Sequence, residues 1–152
     1  MCIRDRIVLV GAEAASPAPG VLDAIETCDV LLLPPSNPVV SIGPILAVPG
    51  IREAVAASSA PVVGVSPIIG DRPVRGMARE CLDAIGVDTS ASAVAGLYAD
   101  LLDAWLVHSS DHDQLARIEE QGVRAHAVPL LMSDAVATRA LAATTIAVAE
   151  AV

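Results

Sequence analysis

The sequence predicts an α/β fold, a Rossmann-like three-layer sandwich in which helices cover both faces of a mostly parallel sheet. Short apolar runs of Val, Ile and Leu alternate with segments of helical periodicity along the 152 residues. Hydrophobic residues make up 54% of the chain and aromatic residues only 1%, which suits parallel strands that are buried on both faces. Because no internal repeat or low-complexity tract divides the chain, we predict a single α/β unit.

The apolar runs predict five strands, and the segments between them predict the helices. The predicted strands lie at 7–11, 29–34, 61–66, 104–108 and 123–128. The predicted helices lie at 17–28, from Pro49 onward, at 74–86, 90–103 and 109–122, and from Ser133 to the end. Right-handed crossovers then place the carboxyl ends of all parallel strands at one edge of the sheet.

The first six residues, MCIRDR, are unlike the rest of the chain. We interpret residues 1–6 as non-native, because they resemble translated sequencing-adapter DNA, and we exclude them from the fold. Met1 is then not a natural start. We expect the domain, at 7–152, to be truncated at its N-terminus.

Charge and cysteine content narrow the class of protein. The formal net charge is −9, with nine Arg and no Lys, which argues against a nucleic-acid partner but allows a small anionic ligand. The three cysteines lack CxxC spacing, which indicates a reducing compartment and no thiolate zinc site. No apolar run reaches the roughly 18 residues of a membrane span, and no secretory signal opens the chain. We therefore predict a cytoplasmic protein with no membrane partner.

A group of His and Asp residues after the fourth predicted strand superficially resembles a metal site. His108 and His112 lie near Asp111 and Asp113. Since a strand that ends at His108 and a helix that begins near Asp111 need not share a face, the preferred interpretation is that Asp111 caps the helix.

Ligands of open α/β sheets bind outside the carboxyl ends of the strands, where the loops 34–44, 66–73, 108–112 and 128–134 are expected. The first loop, PPSNPVVSIGP, offers short polar side chains at Ser36 and Asn37, and Gly43 allows a close approach of the backbone. A helix that begins near Pro44 would present amides to a phosphate. The alternative is a proline-stiffened turn whose polar side chains satisfy local backbone groups.

The second loop, SPIIGDRPVRGMA at 66–78, begins at Ser66, where a strand ends. Gly70 permits a turn, and Arg72 and Arg75 could contact phosphate oxygens because guanidinium groups match them geometrically. The alternative is a solvated loop whose Arg residues pair with Asp71 or Asp83.

Several stretches together resemble the CofD/FbiA family, the 2-phospho-L-lactate (or phosphoenolpyruvate) transferases of coenzyme F-420 biosynthesis. The most specific is PSNPVVSIGPIL at 35–46, followed by SPIIG at 66–70 with Arg75–Gly76 ahead of a helix. YADLLDAWLVH at 98–108 and VPLLMSDAVATRALA at 128–142 extend the resemblance over nearly all of 7–152. Family members are about twice this long, so the chain resembles their C-terminal half.

The resemblance implies transfer of a phospholactyl or phosphoenolpyruvyl group from a guanosine diphosphate-linked acid to the deazaflavin FO, with release of GMP and help from magnesium. It implies no catalytic residue here, since the magnesium ligands are expected in the missing half, and the fragment alone is expected to be inactive. A homodimer is possible. The substrate-binding positions that the resemblance implies are Ser36, Asn37, Pro38, Ser41, Gly43, Ser66, Gly70 and Arg75.

Two departures from the family pattern weaken the second group of positions. Gly70–Asp71 stands where relatives often have a pair of glycines, and Arg75–Gly76–Met77 stands where many have Lys-Gly-Pro. Two alternatives stay open: a non-enzymatic nucleotide or nucleotide-sugar regulator of the YvcK-like type, and an interaction module whose loops bind nothing. A preference for guanosine over uridine nucleotides would separate the transferase from the regulator.

Overall fold

The computed structural model describes residues 7–152, so the interpretation of residues 1–6 lies outside the described residues. The described strands are β1 (Leu31–Leu33), β2 (Val62–Val65), β3 (Ile68–Ile69), β4 (Arg72–Pro73), β5 (Ala104–His108) and β6 (Arg124–Val128). A four-stranded, wholly parallel sheet has the order β1-β2-β5-β6, and β3 and β4 form a small antiparallel hairpin. The α/β class with a parallel sheet is thus confirmed.

The helices are α1 (Val21–Thr27), α2 (Gly43–Leu46), α3 (Ile51–Ala57), α4 (Ala78–Asp83), α5 (Ala91–Gly96), α6 (Leu115–Glu119) and α7 (Ala135–Ala149). A π-helical turn, Pro38–Ile42, leads directly into α2, and 3-10 turns cover Ala12–Ala14 and Ser109–Gln114. Among the described residues, no single helix is long and apolar enough to cross a bilayer. Only the segments Pro38–Leu46 and Ile51–Ala57, bent by 80°, reach that length and composition together.

Alternating side chains of β2 and β5 divide the core into two layers. Trp105 and Val107 pack on one face of the sheet, against helices that include α5 and α6. Val63 and Leu106 pack on the other face, against α7. Burying each of these side chains stabilises the fold by about 1.5–3 kcal/mol. The face under Trp105 also requires Gly64, since a Cβ there would lie 2.4 Å from the indole ring.

The prediction of a strand at 7–11 is wrong. Residues 7–9 have no regular structure, and Val8 and Val10 are 60% and 95% exposed. The segment has high β propensity but no partner within residues 7–152, because β1 pairs only with β2 in the described sheet. A strand without a neighbour gains nothing from that propensity.

Four helices are shorter than predicted. The helices predicted at 17–28 and 74–86 begin four residues later, at Val21 and Ala78. The other two are shortened for local reasons. The helix predicted at 90–103 ends at Gly96, a residue with low helix propensity. The one predicted at 109–122 starts as a 3-10 turn, and α6 begins only at Leu115. Asp111 does not cap it: the cap is the His108 ring, which accepts from the Ser110 N–H at 3.2 Å. The His108 side chain, which precedes the turn, thus satisfies the Ser110 amide, which would otherwise lack a partner within the turn.

The last helix begins as predicted to within two residues. Asp134 caps α7, because its Oδ1 accepts from the N–H groups of Val136 and Ala137, both at 2.8 Å. A carboxylate at this position also faces the positive end of the helix dipole.

Candidate functional site

A cavity of about 490 Å³ lies at the carboxyl edge of the sheet, beyond β1, β2 and β6. Three loops form it: the loop after β1, the hairpin segment after β2, and the loop after β6. Their lining residues are Pro35, Asn37, Ser66, Pro67, Val74, Arg75, Ala78, Leu130, Leu131, Met132 and Ser133. This is the edge at which open α/β sheets bind ligands.

Asn37 starts the helical segment that follows β1. Its Oδ1 accepts from the N–H of Val39 at 2.9 Å and from that of Val40 at 3.1 Å. Pro38 occupies the first helical position, where a missing N–H costs nothing. Because Asn37 also lines the cavity, it supports both interpretations of the loop, the local turn and the ligand contact.

The expected start of a helix near Pro44 is wrong, so no free amides of a new helix lie there. The helical segment begins at Pro38, and its first amides already bind the Asn37 side chain. At Gly43 the backbone is already helical, so α2 has no free N-terminus. A Cβ on Gly43 would lie 2.7 Å from the Pro38 carbonyl oxygen, so this glycine is required by packing within the turn.

The second loop holds its polar groups tightly. Ser66 is 1% exposed, and its Oγ donates to the carbonyl of Ile68 at 2.9 Å and accepts from the same residue's N–H at 3.1 Å. Gly70 forms the turn between β3 and β4 with φ +62°. Its N–H donates to both carboxylate oxygens of Asp111, at 2.9 and 3.0 Å. Gly70 therefore shapes the hairpin and does not line the cavity.

Arg75 is the cationic side chain of the cavity. It is exposed, and among residues 7–152 no carboxylate lies within ion-pair distance of its guanidinium. Arg72 instead faces Asp71, with Nε 3.4 Å from Oδ1, and Arg79 also contacts Asp71, with Nη2 3.7 Å from Oδ2. The predicted pairing with Asp71 thus occurs for Arg72, while Arg75 stays available to a ligand.

Sequence reasoning missed the apolar wall of the cavity. Leu131 and Met132, in the loop after β6, are 51% and 52% exposed, next to the buried Leu130. Exposed apolar side chains beside a charged group are typical of a site for a ligand that has both a ring and an anionic part. The signal in the sequence was an apolar trio placed after a strand and Pro129.

Of the other positions implied by the resemblance, some line a second pocket and some line no cavity. Pro38 and Gly43 line a second, largely apolar pocket of about 370 Å³. Tyr98 also lines that pocket, and its buried hydroxyl has no partner among the described residues. Burial raises the pKa of the Tyr98 phenol above its ordinary range, and the nearby Arg52 guanidinium partly offsets this. Ser36 and Ser41 line neither cavity.

Metal ligands do not converge within residues 7–152. No group of three or more His, Cys, Asp or Glu side chains there could hold a metal ion, and this includes His108, His112 and their acidic neighbours. The described residues therefore offer no cluster of three side chains that could hold a magnesium ion by themselves.

Comparison with known proteins places this geometry in a family. The family model described as 2-phospho-L-lactate transferase CofD matches residues 3–148. The chain belongs to the CofD family. Among curated relatives, the phosphoenolpyruvate transferase of Kitasatospora aureofaciens is 60% identical over 147 residues, which cover 96% of this chain and 46% of the relative. That of Streptomyces coelicolor is 57% identical over 147 residues, with the same coverage of both chains.

The chain spans about half the length of the curated CofD relatives that it matches. A crystal structure of a UPF0052-family protein from Bacillus halodurans superposes with a TM-score of 0.61 at 21% identity, covering 84% of this chain and 46% of that one. At that identity the likeness shows the shared fold alone.

Proposed function

We propose that the chain is the nucleotide-binding half of a CofD transferase that moves a phosphoenolpyruvyl group from a guanosine diphosphate-linked donor to the deazaflavin FO and releases GMP. The observation that carries this proposal is the cavity itself. The cavity has three features: the Arg75 guanidinium, the Asn37 amide and an apolar wall at Met132. No described carboxylate neutralises Arg75. A nucleoside diphosphate, with its ring and its two phosphates, matches these three features.

The reaction that we propose is a direct displacement at phosphorus. The terminal ribityl hydroxyl oxygen of FO forms a bond to the phosphorus that carries the enolpyruvyl group, and the bond from that phosphorus to the bridging oxygen breaks. GMP leaves with the bonding electron pair, and the hydroxyl loses its proton. Arg75 would offset negative charge on the phosphates, a task that needs positioned donors rather than a protein nucleophile.

The enolpyruvyl group is favoured over the lactyl group because the curated relatives are named phosphoenolpyruvate transferases. The family model is named for 2-phospho-L-lactate, so both donors belong in the test. Magnesium remains part of the proposal, with ligands expected outside residues 7–152. A homodimer also remains a proposal.

The test is turnover by the full-length protein supplied with FO, magnesium and either donor. We expect GMP release together with a product whose mass identifies an enolpyruvyl adduct, which has two hydrogens fewer than a lactyl adduct. Arg75→Ala should lower donor affinity by roughly tenfold or more, as for loss of a charged hydrogen bond. Arg72→Ala is the matched control, because Arg72 faces Asp71.

Two results would contradict the proposal. The first is a full-length protein that binds uridine nucleotides in preference to guanosine nucleotides and releases no GMP, as the regulator hypothesis predicts. The second is GMP release by residues 7–152 alone, since we propose that this half lacks the complete site.

A further inference from the structure

Asp111 is a buried carboxylate for which the proposed chemistry has no use. It is 3% exposed, and it lies in the 3-10 turn after β5. Among the described residues, no Arg or His lies within ion-pair distance of it. A carboxylate with so little access to water is costly unless hydrogen bonds replace its hydration.

The hydrogen bonds of Asp111 lead to the hairpin beside the cavity. Both of its oxygens accept from the Gly70 N–H, at 2.9 and 3.0 Å, across 41 positions of sequence. The Ser110 hydroxyl donates to Oδ1 at 3.2 Å and also lies 2.8 Å from Nδ1 of His108. Asp111 therefore joins the end of β5 to the turn of the hairpin.

The hairpin needs such an anchor. Each of its strands has only two residues, which is too short to be stable alone. Ile68 of β3 is fully buried in the core, which holds the base of the hairpin. At the turn, Arg79 donates to the Asp71 carbonyl and forms an ion pair with the Asp71 side chain, which is 78% exposed, so this ion pair contributes little. Among these polar contacts of the turn, the one with Asp111 is made by a buried side chain.

The hairpin in turn determines where Arg75 lies. β4 ends at Pro73, and the next two residues, Val74 and Arg75, line the cavity. The Val74 N–H donates to the Pro67 carbonyl at 3.1 Å, which closes the base of the hairpin. Because no described carboxylate holds the Arg75 guanidinium, its position depends on this stretch of backbone.

We propose that Asp111 is a positioning residue: through Gly70 it fixes the β3–β4 hairpin so that Arg75 faces the phosphates of the bound nucleotide. This inference rests on the proposed function, because it names the ligand of the same cavity. It assigns Asp111 no contact with substrate. What the site needs at position 111 is a hydrogen-bond acceptor for Gly70.

The test measures GDP affinity and amide exchange on the full-length protein, in Asp111→Ala, in Asp111→Asn, and in a double variant with Arg75→Ala. Asp111→Ala should speed exchange of the Gly70 amide and weaken GDP binding about tenfold, or about 1.4 kcal/mol. Asp111→Asn keeps an acceptor oxygen and should restore both. In the Arg75→Ala background, Asp111→Ala should weaken binding no further, because the two residues act as one unit. Asp113→Ala, an exposed neighbour in the same turn, is the control.

Each outcome bears on one of the two proposals. Additive losses in the double variant would overturn the inference, since Asp111 would then support the fold without acting through Arg75. A failure of Asp111→Asn to slow Gly70 exchange would overturn it as well. Absence of GDP binding in the unsubstituted protein would instead overturn the proposed function. In that case Gly70 exchange still shows whether Asp111 holds the hairpin.

Discussion

Replacing Asn37 separates the two tasks that the structure gives this side chain. Its Oδ1 caps the helical segment by accepting from Val39 and Val40, and its amide nitrogen donates to no protein atom within residues 7–152, although the residue lines the cavity. Asn37→Asp keeps the capping oxygen, and aspartate caps helices as well as asparagine does. Asn37→Ala removes the cap, which costs about 1 kcal/mol of unfolding free energy.

Asn37→Asp, which keeps the cap and the stability, should be the variant that loses affinity for a diphosphate. Two like charges about 4 Å apart repel by about 4 kcal/mol at an effective dielectric constant of 20. Because Asn37 is partly exposed, we reduce this to roughly 2 kcal/mol for solvent and salt screening. Asn37→Asp should therefore weaken GDP binding about thirtyfold while its stability stays near that of the unsubstituted protein.

Calorimetric titration with GDP and urea unfolding of the same full-length samples test both halves. A folded Asn37→Asp variant that binds GDP normally would refute the placement of the amide at the phosphates. An Asn37→Asp variant as unstable as Asn37→Ala would refute the capping argument.

Three further substitutions test other parts of the structure. Met132→Ala should weaken GDP binding by about 1 kcal/mol through lost apolar contact, measured by the same titration. Val136 is 80% exposed and lies outside the cavity, so Val136→Ala should leave GDP binding unchanged. Equal effects of the two substitutions would show that the apolar wall is not part of the site. Gly43→Ala should cost about 1–3 kcal/mol in urea unfolding because its Cβ meets a backbone oxygen. Gly96→Ala, whose Cβ meets only the movable end of Gln121, should be neutral or stabilising, so a tolerated Gly43→Ala would contradict the packing argument. Tyr98→Phe should leave stability at neutral pH unchanged, since the hydroxyl has no described partner. Burial raises the pKa of Tyr98, so the folded phenol stays neutral at a pH where the unfolded phenol already ionises. The stability that this difference gives is therefore complete below about pH 10 and is lost as the pH rises further. Unfolding measured up to about pH 11 should thus show a steeper alkaline loss in the unsubstituted chain than in Tyr98→Phe, and equal slopes would contradict this.

The parallel sheet was predictable because its central strands, β2 and β5, are buried on both faces. The strand at 104–108 has the predicted bounds, and β2 and β6 differ from theirs by one residue at the ends. Such runs form strands in any context that pairs them. The run at 7–11 has the same composition, yet it is not a strand, because pairing depends on a neighbour that local sequence does not specify.

The candidate site was predictable only in part, for a similar reason. Asn37, Ser66 and Arg75 follow strands, so the topology of a parallel sheet brings them to one edge. The bond from Gly70 to Asp111 spans 41 positions, and no periodicity indicates it. Asp111 looked like a helix cap because Asp is common there, but the His108 ring takes that place.

Much of the unusual composition of PPSNPVVSIGP is explained by the backbone rather than by the ligand. Pro38 needs no amide at the first helical position, Asn37 satisfies the next free amides, and Gly43 fits under the Pro38 carbonyl. These contacts fix the chain without a ligand, so the loop presents the Asn37 amide to the cavity at little entropic cost on binding. A stiff loop is therefore useful to a transferase of this kind. We therefore expect slow amide exchange in the first turn even without nucleotide, because the Asn37 side chain already holds these amides. Fast exchange at Val39 and Val40 that slows only with GDP would refute this.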